Sequence, residues 1–201
     1  SFSAEPLFSF TAGMLAGDPQ AWSLRWYRDL FAEPRWQTAF FNSVWVAITA
    51  ATLALGLSII AAVGLSRREL PMRRAVEAVL LVPSVAPIVL LATGIFFLYS
   101  SWGLLGTMTG VVIAHMALIA PSTAFLLQAA LTGVPVNFDR AAASLGAPVL
   151  HRFFEITFPM VIPAFIGAFV MAFLGSFDEP VVVQFITFSP AQFTFPKQMF
   201  A

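Results

Sequence analysis

Cysteine is absent from the 201-residue sequence, so disulfides and thiolate metal sites are excluded. Lysine occurs once, as Lys197 between Pro196 and Gln198. A phosphate-cradling loop of the form G-x-x-x-x-G-K-[ST] is therefore missing, and ATP hydrolysis by that route with it. Charge is scarce. Asp, Glu, Lys and Arg make up 10% of the chain, against about 25% in an average soluble domain. A formal net charge of zero implies no basic face for nucleic acid. Neither H-E-x-x-H nor G-x-S-x-G occurs. What remains is 59% hydrophobic, with a mean hydropathy of +0.87. Such a chain cannot coat a soluble surface with polar groups, and lipid is its natural solvent.

The apolar residues come in long runs. No charge falls between Trp36 and Ser66, and residues 39–65 read as a first span. Arg67, Arg68, Arg73 and Arg74 crowd the next loop. From Ala78 to Phe138 there is again no formal charge, apart from a proton that His115 can take. As one helix this run would measure about 90 Å, roughly three bilayer cores, so it must fold back. Ser100-Ser101-Trp102-Gly103 is the best place for the break. Spans are thus expected at 77–99 and 107–131. Thr132 to Met160 form a polar interruption, and a fourth span follows at 161–177. Residues 1–38 mix aromatics with charges, as an external loop with an interfacial helix would. Residues 39–185 form the transmembrane domain. Beyond it, 186–201 read as an external or partly inserted segment, because Pro190 and Pro196 disfavour a full crossing. The dense arginines place loops 66–76 and 132–160 in the cytoplasm.

Few residues suggest chemistry. His115 has no carboxylate or cysteine at helical spacing, and a lone polar group in a span more often bonds a neighbouring helix. An intramembrane enzyme would need a nucleophile and base paired at membrane depth, and the sequence offers no such pair. Pro83, Pro87 and Pro121 bend their helices, either as plain kinks or as curvature around a pathway. Gly106 and Gly110 form a G-x-x-x-G that permits close helix approach. Asp178 and Glu179, after Phe177, are the carboxylates beside a span end. They are either ordinary interfacial charge or an anionic gate for a cationic solute.

The polar interruption is the most informative stretch. It reads Asp139-Arg-Ala-Ala-Ala-Ser-Leu-Gly-Ala147, then Phe153-Phe-Glu-Ile-Thr-Phe-Pro159. Ala141 to Leu145 favour a short helix that Gly146 can end. This stretch resembles the E-A-A-x-x-x-G-x9-I-x-L-P signature of ABC importer permeases. Ala141, Ala142, Gly146, Ile156 and Pro159 match it in register. Arg140 stands where the glutamate belongs, and Phe158 replaces leucine. Ser23 to Phe31, Asn42-Ser43, Pro83 with Pro87, His115 with Pro121, Ser176 to Pro180 and Phe195 to Met199 are similar to the spermidine/putrescine-type branch.

The resemblance implies an all-α polytopic bundle of the type I importer permease kind, in a bacterial inner membrane. It implies six spans, of which four are seen here, the others lying before Ser1 and after Ala201. It also implies a second permease subunit, a dimer of ABC ATPase subunits that bind ATP and Mg, and an external solute-binding protein. The permease itself would carry no cofactor and no catalytic residue. Arg140, Ala141, Ala142, Leu145, Gly146 and Ala147 would couple to the ATPase. Phe177, Asp178 and Glu179 would border the solute path. Polyamine is the expected solute, with iron, opine, phosphonate or an amino-acid-like solute as alternatives. A channel without an energy source is the reading from another class.

Overall fold

The computed structural model describes residues 24–66 and 73–201. Residues 1–23 of the expected external loop, and Arg67 and Arg68 of the basic loop, lie outside the described residues. Among the described residues every regular element is helical. In chain order they are α1 (Arg25–Ala32), α2 (Pro34–Ser66), α3 (Arg73–Val85), α4 (Ile88–Trp102), α5 (Met108–Gly133), α6 (Val136–Ser144), α7 (Val149–Arg152), α8 (Phe158–Phe177), α9 (Val181–Ile186) and α10 (Phe195–Gln198).

Helices α2, α5 and α8 form the core. The buried face of α2 is a stripe of small residues, Ala39, Ser43, Ala47, Ala50, Ala54, Ser58 and Ala62, at helical spacing. Small side chains let backbones approach closely, which is how helices pack where lipid gives no hydrophobic drive. The opposite face of α2 carries exposed Phe41, Trp45, Leu57 and Ile60, as a lipid-facing surface does. Ser58 donates to the carbonyl of Ala120 at 2.9 Å, just before Pro121. Ala62, Leu127 and Ala168 meet further along. These pairings make α2 and α5 run in the same direction, with α8 returning between their ends. Helix α2 has 33 residues, about 50 Å, so it exceeds the roughly 30 Å bilayer core at both ends.

The span expected at 77–99 differs from a single helix. It is two helices, α3 and α4, bent by 102°. A proline inside a helix usually gives a kink, because one hydrogen bond is lost and the ring clashes with the carbonyl four residues earlier. Here Pro83 sits in the last turn of α3, and Pro87 takes φ −56° and ψ 127° immediately before α4. Five residues, Pro83 to Pro87, thus hold two prolines, and the chain turns a corner there. Glu77 of α3 lies beside Gln128, near the end of α5. Tyr99 of α4 packs against Gly110, at its start. The bent pair therefore travels the length of the bundle.

Helix α4 ends where small residues clustered, at Gly103 with φ +69°. Gly106 also has a positive φ, +67°, and lies in the turn before α5 rather than on it. Gly106 and Gly110 therefore do not form a helix-packing stripe. Gly110 alone is at a close approach. A Cβ there would sit 2.5 Å from the Leu104 carbonyl oxygen and 3.3 Å from the Tyr99 ring. Gly110→Ala should destabilise the bundle by about 1–3 kcal/mol through overpacking. Thermal melting in detergent would check this, with an unchanged melting temperature as the contrary result.

Candidate functional site

At one end of the bundle the chain makes a compact loop. Pro135 closes α5 and opens α6. Asp139 lies in the first turn of α6, where a carboxylate suits the helix dipole. Ala141, Ala142 and Ala143 extend the helix. Gly146 ends it at φ +81°, the left-handed conformation. The Gly146 N–H donates to Ala143 at 3.0 Å and the Ala147 N–H to Ala142 at 3.1 Å. This is a Schellman cap, which satisfies the last carbonyls of a helix and reverses the chain. Helix α7 then leads, without a break, through a π turn at Phe153–Thr157 into α8. Pro159 has no N–H for the carbonyl of Glu155, and the ladder shifts here, the Phe158 N–H bonding Phe153.

The loop leaves apolar surface uncovered. Leu145 is 89% exposed, Leu150 72% and Val149 70%, values that no packed side chain reaches. Arg140, Ala141 and Gly146 are exposed, while Ala142 and Ala147 are half-buried. The predicted coupling residues thus share one turn-rich knob. What the sequence reading missed is Arg152. Its guanidinium donates to the carboxylate and to the backbone carbonyl of Asp139, both at 3.1 Å. The two residues are thirteen apart, outside any helical spacing.

At the opposite end, Phe177, Asp178 and Glu179 line an open hollow of about 730 Å³ with Ile88 and Met171. The two carboxylates differ. Asp178 is exposed. Glu179 is buried, and its Oε1 accepts from the Val181 and Val182 N–H groups at 2.8 and 3.1 Å. It is an N-terminal cap for α9. Lys197, also buried, serves the other end of α9. Its Nζ donates to Thr187 O at 2.6 Å, to Thr187 Oγ1 at 2.8 Å and to Val183 O at 3.3 Å. A six-residue helix is thereby held between an anion at its positive end and a cation at its negative end.

The same cluster reaches into the core. His115 Nδ1 lies 2.8 Å from Ser176 Oγ, and Nε2 lies 3.7 Å from Glu179. His115 is thus a helix–helix partner, as its isolation suggested. Asn42 donates to the carbonyls of Ala191 and Phe193 at 2.8 and 3.0 Å, and the Phe195 N–H donates to Ser43 at 2.7 Å. The polar residues of α2 therefore tie down the segment after α9. Among the described residues no three His, Cys, Asp or Glu side chains are grouped to hold a metal ion.

Residues 54–199 match the family model of the binding-protein-dependent transport system inner membrane component. The chain belongs to this family. Among the described residues of this inner membrane component, three helices are long and apolar enough to cross a membrane, and a bent pair brings the number to four. The diacetylchitobiose uptake system permease protein of Streptomyces coelicolor is 29% identical over 80% of this chain and 53% of its own length. The putrescine transport system permease protein of Escherichia coli is 29% identical over 97% of this chain and 72% of its own. The trehalose transport system permease protein of Mycobacterium tuberculosis is 24% identical over 98% and 71%. This inner membrane component thus spans about half the length of the first of these relatives. Its fold is that of a bacterial ABC transporter involved in the import of the acidic polysaccharide alginate, with a TM-score of 0.71 at 16% identity, over 94% of this chain and 65% of the other.

Proposed function

We propose that the chain is a permease subunit of an ATP-driven importer. It works with a second permease subunit, a dimer of ABC ATPase subunits holding ATP and Mg, and an external solute-binding protein. The observation that carries this reading is the knob at residues 136–150. It is rigidly capped at Gly146, rich in exposed Leu145, Val149 and Leu150, and continuous with α8. An apolar projection of that size on a polar loop is a surface for a protein partner. Carried by α8, its displacement reaches Phe177 and Asp178 at the far end. Closure of the ATPase dimer would move the knob and rock the bundle between inward and outward states. Co-purification with an ABC ATPase subunit from the same cells tests this. A chain that isolates without any ATPase favours a channel instead.

The solute we propose is a polyamine. Relatives are named for putrescine and for spermidine/putrescine, but also for diacetylchitobiose and trehalose, at similar identities. The exposed carboxylate of Asp178, at the hollow beside α9, favours the cation. Asp178→Asn should raise the KM for putrescine by about fivefold, the loss of about 1 kcal/mol from one exposed ion pair. Uptake of an uncharged disaccharide should be unmoved. Equal putrescine kinetics in both proteins would remove Asp178 from the solute path.

A further inference from the structure

We propose that Asp139 and Arg152 are positioning residues for coupling, a brace that makes the loop move as one body with α8. This rests on the permease reading. The geometry is a closed figure. Helix α6 runs out from α5, the Gly146 cap reverses the chain, and α7 runs back into α8. Arg152 closes the figure by bonding both the carboxylate and the carbonyl of Asp139. Among the described residues it is the one ion pair between elements of this loop. Arg140, His151 and Glu155, the other titratable groups here, have no such partner among the described residues.

Burial supports the assignment. The Arg152 side chain is 15% exposed although its neighbours Leu150 and Phe154 are largely open. Its Nε is buried without a partner. The Asp139 side chain is 49% exposed, so the pair is screened by solvent and adds little to stability. What the pair adds is direction. Without it, α6 hangs from α5 through Val134 and Pro135 on one side, and from α7 through the turn at Gly146 on the other. A push on Leu145 would then swing α6 instead of driving α8. With it, Asp139 is tied to Arg152 at the root of α8. The pair also occupies the region in which Arg140 replaces the acidic residue of the importer signature, so the loop has an acid, one position early, turned to an internal partner.

The test is a charge swap in the full complex with ATPase subunits and binding protein, reconstituted in vesicles. Variants Asp139→Asn, Arg152→Gln and the double exchange Asp139→Arg with Arg152→Asp are compared with the wild type. Glu155→Gln, an unpaired charge of the same loop, is the control. The readout is solute moved per ATP hydrolysed, with inserted protein and bound ATPase measured alongside. Each single variant should keep its ATPase and lose about tenfold in that ratio, and the exchange should restore most of it. Glu155→Gln should match the wild type. Normal ratios in both single variants would overturn the brace. So would an exchange no better than either single change. Loss of inserted protein with an unchanged ratio in what remains would assign the pair to folding and overturn it too. Failure of the wild type to bind any ATPase would remove the permease reading, and the brace with it.

Discussion

Gly146→Val is expected to leave the protein inserted in the membrane and to abolish coupling between ATP hydrolysis and solute movement. The reason is local. Gly146 holds φ +81°, and no heavy atom lies within 4 Å of where a Cβ would stand. The penalty is therefore conformational rather than a clash. An L-residue in the left-handed region costs about 1–2 kcal/mol, and a β-branched one is a steric outlier there. Valine relieves this by leaving that region, which breaks the two capping bonds from Gly146 and Ala147. Leu145 then points elsewhere and α7 no longer meets α6 at the same angle. The spans are untouched, so insertion survives. Asparagine tolerates the left-handed region better than alanine, and alanine better than valine. Solute moved per ATP should fall in the order Gly146→Asn, Gly146→Ala, Gly146→Val. A valine variant that couples as the wild type does would remove the cap from the mechanism.

Glu179→Ala should be the most destabilising single change at the other end. The carboxylate serves two amides, the partly buried one of Val181 and the buried one of Val182. Leaving each without an acceptor costs about 1–3 kcal/mol, so about 2–6 kcal/mol in all. In a chain of this size even about 2 kcal/mol corresponds to a drop in melting temperature of about 4–8 °C. Glu179→Gln keeps an acceptor oxygen and should lose less. Asp178→Asn, one residue away, bonds nothing comparable and should melt with the wild type. Melting in detergent separates the three. If Glu179→Ala and Asp178→Asn melt together, Glu179 is not the cap of α9.

This difference between the two acids bears on how they read in sequence. Side by side after Phe177, they read as interfacial charge or as a gate to which at most one of them contributes. In the fold both border the hollow from the turn after α8, but Asp178 stays exposed while the Glu179 carboxylate turns onto the first amides of α9. One limit explains what else stayed hidden. A helix read alone reveals partners at i±3 and i±4, and His115 had none. Its partners, Ser176 and Glu179, come from another helix and the turn after it. Lys197 gave no sign that it closes α9. Asp139 and Arg152 are joined only because Gly146 turns the chain back.

Much was nevertheless legible. The uncharged runs marked α2, α5 and α8, since the bilayer core demands apolar length and nothing else does so as strictly. The cluster at Ser100–Gly103 marked the end of α4, and Gly146 marked the end of α6. The 102° corner between α3 and α4 was not legible. Pro83 and Pro87 signal a break, but its angle depends on what packs against each half, and that comes from α5 and α9.

The central claim is that the knob around Leu145 meets an ATPase subunit. The chain has no cysteine, so a single introduced thiol is unambiguous. Leu145→Cys, crosslinked in membranes from cells that also make the partner ATPase, is the most direct measurement. The account predicts a crosslink to the ATPase from residue 145 and none from Ile166→Cys on the exposed face of α8. A crosslink from neither position, or equally from both, would contradict it.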